Sequence, residues 1–426
     1  MSLPHKATSF ILLLILSGTA NAKQVHILTL QAALDIAAQN NPNLAKMQAR
    51  AKAIAAIPSQ AGTLPDPVIS FSALNLPVDS FDLAQEDMTQ LQGGISQTIP
   101  FPGKLALREQ TAAYQAEAAR YDVTEVHWHL LHHVKKIWWS LFYLDRALDI
   151  IGTNQALLRQ FVKIALTKYE VGEGLQQDAL LAQLELSRLL DNEIKLTRAR
   201  HKSRAQLNAL LNRPADQKII MPAEVSTRLP TLPSEADLFQ YAENTRASLA
   251  AKREIINAAQ SRLELAKKDI YPDFNIGAFY GGRSDNLSGQ ERADFLSLKL
   301  SMTVPVFASS KQQKAIDQRH SELNQQRYAL QAQWNQIRAD ISIAYSDFQQ
   351  TKNQVTLYSS GIIPQARQTV ASMLSGYQVN KVDFLNLVRS QVTLYNYETQ
   401  YWKALSEANQ ALAQLTAVVG KEDIYE

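Results

Sequence analysis

The sequence predicts a mainly α-helical fold with a membrane β-barrel, built by tandem duplication, in which each chain supplies four strands. Three observations predict it. Short motifs recur 205 to 208 residues apart, four segments of about ten residues alternate apolar and polar side chains, and the other stretches keep a helical period over great lengths. With only 15 glycines and 15 prolines in 426 residues, the composition agrees with such long elements.

The first 22 residues indicate export. Lys6 precedes the uninterrupted apolar run Phe10 to Leu16, and Ala20-Asn21-Ala22 offers the small residues that a signal peptidase requires. We therefore expect a signal peptide over residues 1–22 and a mature chain from Lys23. Because the sequence contains no cysteine, disulfides, thiolate metal ligands and a lipidated cysteine are excluded. A formal charge of +3 without single-sign blocks argues against nucleic acid as a partner.

The two halves of the chain follow one plan. Leu64-Pro65-Asp66 recurs as Tyr271-Pro272-Asp273, and Ser96-Gln97-Thr98-Ile99-Pro100 recurs as Ser301-Met302-Thr303-Val304-Pro305. Such self-similarity indicates a duplicated unit. The predicted domains are a first repeat over 23–213, a proline-rich linker over 214–233 and a second repeat over 234–426.

Each repeat opens with a predicted helix, over 30–57 and 234–268, in which apolar residues recur three and four positions apart. After each Pro-Asp pair the period changes to two, with apolar residues on one side and Ser, Thr, Gln or Asn on the other. About ten residues suit a tilted crossing of a bilayer. The strands are expected at about 67–76, 90–99, 273–282 and 294–304.

A four-stranded sheet with one apolar face cannot stand alone in lipid, because its edge strands carry unsatisfied backbone groups. We therefore expect several chains to share one barrel with a wet, polar interior. The alternative is a soluble sandwich packed on helices. The very long helices argue against it, since four strands offer them no compact core.

Helical periodicity returns after the second strand of each repeat. The predicted helices over 103–168 and 309–374 are each roughly 100 Å long if nearly continuous. Mild interruptions are expected near Gly152 and at 361–364. Turns then reverse the chain into long returning helices, predicted over 175–212 and 382–419.

This layout resembles the TolC family of outer membrane factors, the exit ducts of tripartite efflux and type I secretion systems. Within it, the stretch Gly94 to Lys104, GISQTIPFPGK, is most similar to the CusC/CzcC-like heavy-metal efflux branch. The resemblance implies a homotrimer whose 12 strands form an outer-membrane barrel continued by a periplasmic helical tunnel. It also implies a periplasmic membrane-fusion adaptor and an inner-membrane pump of the RND type as partners.

The resemblance further implies that the two helix-turn-helix tips close the periplasmic end of the tunnel and dock the adaptor. In this sequence the tips contain Tyr169, Gly172, Gly174, Tyr377 and Asn380. Gly172 and Asn380 are also suited to a left-handed turn, which is the simpler interpretation of both.

Family members often carry aspartate rings just past the second tip. The matching positions here are Asn386 and Arg389, so this sequence departs from an acidic gate at those positions. Asp383 lies about one helical turn earlier, and Asp178 is the counterpart of Asn386 in the first repeat. Both are candidates for the entrance gate, and ordinary solvated helix charges explain them equally well.

Four of the eight histidines lie between His127 and His133. His129 and His133 are one helical turn apart, the spacing of a two-point metal clamp. We expect no carboxylate at ligand spacing on that face, so histidines that pack helices or line a wall are the favoured interpretation. Phe101 and Phe307 mark the strand-to-helix junctions, as part of an aromatic girdle or as a plug.

No enzyme signature or cofactor motif is present. The leading hypothesis is a passive outer-membrane duct for heavy-metal ions of the Cu/Ag or Co/Zn/Cd type. A duct for drugs or for type I protein secretion is the first alternative. A periplasmic coiled-coil adaptor or scaffold is the alternative from another class.

Overall fold

The computed structural model describes residues 27–425, so the predicted signal peptide lies outside the described residues. The first repeat contains α1 (Leu30–Asn40), α2 (Pro42–Ala55), α3 (Ile57–Gly62), β1 (Val68–Leu74), β2 (Gln90–Ile99), α4 (Lys104–Glu170) and α5 (Gln176–Leu210). The second contains α6 (Glu235–Thr245), α7 (Ala247–Lys268), β3 (Phe274–Gly282), β4 (Phe295–Met302), α8 (Gln312–Leu357), α9 (Ile363–Gln378) and α10 (Phe384–Val419). The fold thus repeats short helices, a strand pair and a long helical hairpin.

The helix that opens each repeat is broken, whereas the sequence predicts one continuous helix in each place. The Asn41 side chain accepts hydrogen bonds from the backbone N–H groups of Asn43 and Leu44, at 3.0 and 3.2 Å, and Pro42 is the first residue of α2. Arg246, with φ −70° and ψ 115°, separates α6 from α7. The apolar spacing continues across both breaks, so periodicity alone does not detect them.

The four strands form one antiparallel sheet in the order β1-β2-β3-β4, with β1 and β4 at its edges. β2 and β3 join the two repeats, and Ile95 lies opposite Ala278. The apolar side chains share one face, as the alternation predicts, and Phe71 and Leu298 are 85% and 81% exposed. An apolar face this open requires a cover from outside the chain.

The long helices confirm the predicted hairpins and correct one detail. α4 runs for 67 residues straight through Gly152, so the interruption predicted there is wrong. A π-helical turn (Tyr358–Ile362) joins α8 to α9, close to the predicted interruption at 361–364. Pro364 has no N–H to donate within the helix, and the widened turn before it accommodates the missing hydrogen bond.

The apolar core forms where helices of the two repeats pack together. α4 contacts α5, α7 and α10, and α10 also contacts α8. The rings of Trp138 and Phe142 stack with centroids 5.8 Å apart, in a cluster that includes Leu207 of α5. Across residues 27–425, no helix is both long enough and apolar enough to cross a membrane.

The segment 214–233 contains neither a helix nor a strand. Its Ile220 carbonyl accepts a hydrogen bond from the Leu28 N–H at 2.9 Å, and Ile219 and Met221 are buried in the same cluster as Trp138. The segment is therefore packed against the start of the first repeat.

Candidate functional site at the two helical turns

Both helical hairpins reverse through the same backbone device. Gly172 has φ +78° and Asn380 has φ +58°, the left-handed conformation that ends a helix. The N–H of Glu173 donates to the Lys168 carbonyl at 2.8 Å, and the N–H of Lys381 donates to the Gly376 carbonyl at 2.9 Å. Each bond spans five residues, so the duplication is preserved in the backbone of the turns.

A glycine is needed at position 174 because the backbone there passes close to Lys168. A Cβ atom at this position would lie 2.9 Å from the Lys168 Cβ, too near for an ordinary contact. The two tyrosines differ, since Tyr169 is 47% exposed and Tyr377 only 6% exposed. Of this pair, Tyr169 is thus the one available to a partner.

Lys168 joins the two turns, and sequence reasoning missed it. Its Nζ donates to the Tyr377 carbonyl at 3.1 Å and to Asn380 Oδ1 at 2.5 Å. It also lies 4.4 Å from the centroid of the Tyr377 ring, a favourable cation–π distance. At the spacing of the repeat, Lys168 corresponds to Gly376, so the internal comparison contains no matching lysine that would have drawn attention to it.

An apolar cluster supports the turns from behind. Phe384, 2% exposed, packs against Phe161 with ring centroids 6.3 Å apart and against Tyr377 at 5.2 Å. Ala165, Ala179 and Leu387 belong to the same cluster. The two hairpins therefore meet through a buried contact as well as through Lys168.

Two of the predicted gate residues act on each other. Burial raises the pKa of Asp178, and the negative charge of Asp383 raises it further. Asp178 lies in the first turn of α5 and Asp383 directly precedes α10, so the structure brings one carboxylate from each repeat to the same end of the bundle. The pKa of Tyr377 is raised by burial and by the charge of Asp178.

The other two gate candidates differ in their surroundings. Asn386 donates from Nδ2 to Asp383 Oδ2 at 3.2 Å and so orients that carboxylate. Arg389 is exposed on the following turn of α10. The structure thus groups Asp178, Asp383 and Asn386, and Arg389 follows Asn386 one helical turn later on α10.

A carboxylate, Glu125, lies beside the histidine cluster, although the sequence predicted none there. His129 Nε2 lies 3.0 Å from Glu125 Oε1, so the expectation of no carboxylate at ligand spacing is wrong. Glu125 precedes His129 by one helical turn on α4. Glu125 is itself ion-paired with Arg246, which is 6% exposed. His129, more than half exposed, therefore contacts the outer side of an ion pair that joins the two repeats.

His132 and His133 are engaged differently. The Nδ1 of His133 donates to the His129 carbonyl at 2.7 Å. Burial lowers the pKa of His132 to about 4, assisted by the nearby His133 and Lys136. In the described residues, no group of three or more His, Asp or Glu side chains could hold a metal ion.

The junction between β2 and α4 is a compact cluster. Lys104, 3% exposed, forms ion pairs with Asp273 at 2.9 Å and Asp269 at 3.4 Å. The ring of Phe101 stacks on Tyr271 with centroids 4.5 Å apart and an interplanar angle of 13°. By contrast, Phe307 at the second junction is 71% exposed.

A four-stranded sheet with an exposed apolar face, continued by long helical hairpins, defines an outer-membrane channel subunit. The sequence matches the family model described as outer membrane efflux protein over residues 33–213 and 238–421. The chain belongs to the outer membrane efflux protein family. Proteins of this family are passive channels and not enzymes.

Individual relatives are distant but match along almost the whole length. The chain is 20% identical over 396 residues to the cobalt-zinc-cadmium resistance protein CzcC of Cupriavidus metallidurans, covering 92% of this chain and 90% of the relative. The crystal structure of VceC from Vibrio cholerae matches with a TM-score of 0.76 and 16% identity, covering 92% and 96% of the two chains. CusC matches with a TM-score of 0.77 and 15% identity, covering 92% of each. The fold is therefore TolC-like.

Proposed function

We propose that this chain is the subunit of a trimeric outer-membrane duct that exports heavy-metal ions as part of a tripartite efflux system. The single observation that carries the metal cargo is the similarity to the cobalt-zinc-cadmium resistance protein over 92% of the chain. The family match favours a channel over the periplasmic adaptor or scaffold. We further propose that residues 1–22 direct export and that the mature chain is anchored without lipid.

The exposed sheet supports a shared barrel. β1 and β4 are edges, and an edge strand in lipid leaves backbone N–H and C=O groups without partners. Three copies supply 12 strands, and lipid then covers the apolar face that includes Phe71 and Leu298. The opposite face, with Ser70 and Ser301, lines a wet interior.

The tips support an entrance at the periplasmic end. Three copies of Asp178 and Asp383 bring six carboxylates together where the helical hairpins end, which attracts cations and repels anions. The duct itself holds its cargo weakly, because a tight site would slow passage.

The contacts of Lys168 favour a closed resting state, in which the two helical turns of one chain stay together. Its bonds to Tyr377 and Asn380 hold the two hairpins of one chain together. We propose that a periplasmic membrane-fusion adaptor docks on the tips through Tyr169, Gly172 and Gly174 and separates the hairpins. Cargo then passes from an RND-type inner-membrane pump into the tunnel.

Deletion of the gene tests the cargo. Cells without the chain are expected to become sensitive to salts of one metal group, Cu/Ag or Co/Zn/Cd, and the wild-type chain should restore tolerance. Unchanged sensitivity to every metal, with new sensitivity to drugs or loss of a secreted protein, would replace the metal cargo by the alternative duct. The same panel should include a dye or detergent to reveal general damage to the outer membrane.

A further inference from the structure

Where β2 leads into α4, the residues after β2 contact the residues before β3 and form one complete junction inside the chain. Each edge of the sheet carries only one of these two sets of residues, one after β4 and the other before β1. The complete junction lies between β2 and β3, where Lys104 at the start of α4 meets Asp273 just before β3. Phe101 stacks on Tyr271 beside this pair, and the Phe101 N–H donates to Asp273 Oδ1 at 2.8 Å. Lys104 and Phe101, which follow β2, thus contact Asp273 and the ring of Tyr271, which precede β3.

The first half recurs after β4. The Lys104 N–H donates to the Phe101 carbonyl three residues earlier, at 3.1 Å. The Lys311 N–H donates to the Phe307 carbonyl four residues earlier, at 2.9 Å, so the second copy has one more residue between ring and cation as α8 begins. Lys311 is exposed and has no ion pair within residues 27–425, and Phe307 is 71% exposed. Both residues border the cavity beside Tyr271 and Asp273, so this edge presents a cation without an ion pair in the described residues and a largely exposed aromatic ring.

The second half recurs before β1. Leu64-Pro65-Asp66 occupies the position of Tyr271-Pro272-Asp273 in the duplicated plan. Leu64 is 46% exposed, and Asp66 is exposed without an ion pair among the described residues. The other edge of the sheet therefore presents the matching carboxylate and apolar residue.

In the shared barrel proposed above, β4 of one copy pairs with β1 of the next. We infer that at this seam Lys311 of the first copy forms an ion pair with Asp66 of the second and Phe307 packs on Leu64. This inference rests on the proposed trimer and specifies how its copies join. Within the chain, Ser96 lies opposite Gly277. In the duplicated sequence Ser301 corresponds to Ser96, and Ser70 corresponds to Gly277. The same register between copies therefore places Ser301 opposite Ser70 of the next copy.

The register agrees with the faces of the sheet. It places Leu300 opposite Phe71 and Met302 opposite Ile69, so apolar side chains remain on the face that β2, β3 and β4 already share. A slip by one residue would place every apolar side chain of β1 on the polar face. A slip by two preserves the faces but separates Lys311 from Asp66 by about 7 Å more along the strand.

The junction between copies differs from its template in one respect. Lys104 also meets Asp269 at 3.4 Å, whereas the position equivalent to Asp269 in the first repeat is Gly62. Lys311 therefore meets one carboxylate where Lys104 meets two. The contact between copies carries a single ion pair, so loss of either partner removes all of it.

Disulfide trapping tests the register, because the chain has no cysteine of its own. Opposite residues of antiparallel strands have Cα atoms about 4.5–5.5 Å apart, within reach of a disulfide. The variant Ser70→Cys with Ser301→Cys should give covalent dimers and trimers on oxidation, and a reductant should reverse them. The matched control, Ser70→Cys with Thr303→Cys, is shifted by two residues and should give almost none.

Charge exchange tests the ion pair. Lys311→Glu and Asp66→Lys should each lower the temperature at which the trimer dissociates, and the double variant should recover most of that loss. A trimer that forms but is trapped only by the shifted cysteine pair, or by neither pair, overturns the register. Additive losses in the double variant overturn the ion pair. If the wild-type chain forms no trimer, the proposed duct fails as well, so the two failures are distinguishable.

Discussion

The Lys168 ammonium group lies 3.1 Å from the Tyr377 carbonyl oxygen and connects the turn of the first repeat to the turn of the second. The substitution Lys168→Met keeps most of the apolar stem and removes the charge. A hydrogen bond from a charged group contributes ~1.5–3 kcal/mol, and ~1.4 kcal/mol corresponds to a tenfold change in population. We expect the variant to open at least about tenfold more often in single-channel recordings.

Lys163→Met is the matched control, since Lys163 is exposed on the same helix and forms no ion pair within residues 27–425. It should retain the opening frequency of the wild type. Equal behaviour of the two variants would remove Lys168 from the gate.

The sequence was sufficient for the arrangement of elements and insufficient for the contacts between the repeats. The period of two at Ile69, Phe71 and Ala73 and the proline at position 100 mark the strands and their ends, because both are properties of local chain geometry. The breaks at Asn41 and Arg246 depend on side-chain caps and tertiary contacts, which leave the apolar spacing intact.

The same distinction applies to the candidate site. Gly172 and Asn380 are recognisable from composition because a left-handed turn favours these residue types. The contact of Lys168 with Tyr377 joins residues 209 positions apart, and no local pattern encodes it. Functional roles for the tips, Asn386 and Arg389 remain predictions, as do the roles of Asp178 and Asp383, which substitutions at those two positions test.

Asp383→Asn should reduce the preference of the channel for cations over anions. Asp178 lies in the first turn of α5 and Asp383 directly precedes α10, just past the two turns, and three copies of the variant lose three negative charges there. The expected result is a smaller reversal potential across a salt gradient, while conductance in symmetric salt changes less. Asp122→Asn, in an exposed part of α4 far from the turns, is the control and should leave the reversal potential unchanged.

The entrance should lose charge in acid earlier than ordinary aspartates do. Burial and the neighbouring charge of Asp383 raise the pKa of Asp178, so its folded-state pKa lies above the unfolded value. Its ionised form therefore opposes the packed tip at neutral pH, and this cost is relieved as pH falls through the raised pKa. Cation preference should decline over that range, and Asp178→Asn should abolish the step. A wild-type titration identical to that of Asp178→Asn would contradict the assignment.

Arg246→Met should destabilise the protein strongly. Arg246 is 6% exposed and pairs with Glu125, so its loss leaves a half-buried carboxylate without its cation, at a cost of ~3–5 kcal/mol. Lys195→Met removes an exposed ion pair with Asp191 and should cost at most ~0.5 kcal/mol. Thermal unfolding in detergent at neutral pH measures both changes.

Glu125→Gln added to Arg246→Met should recover part of that loss. Burial opposes ionisation of Glu125, but the His129 hydrogen bond and the charge of Arg246 together lower its pKa. The stabilisation from ionised Glu125 is therefore present at neutral pH and is lost as pH falls through the folded-state pKa. A double variant no more stable than Arg246→Met would show that the arginine acts through its packing and its hydrogen bond to the Ala417 carbonyl instead of through Glu125.

Purification of the chain from outer membranes, followed by native mass spectrometry and recording in a planar lipid bilayer, tests the trimeric duct most directly. We predict a particle of three chains that inserts and gives discrete current steps. A monomer that gives no current would contradict the duct.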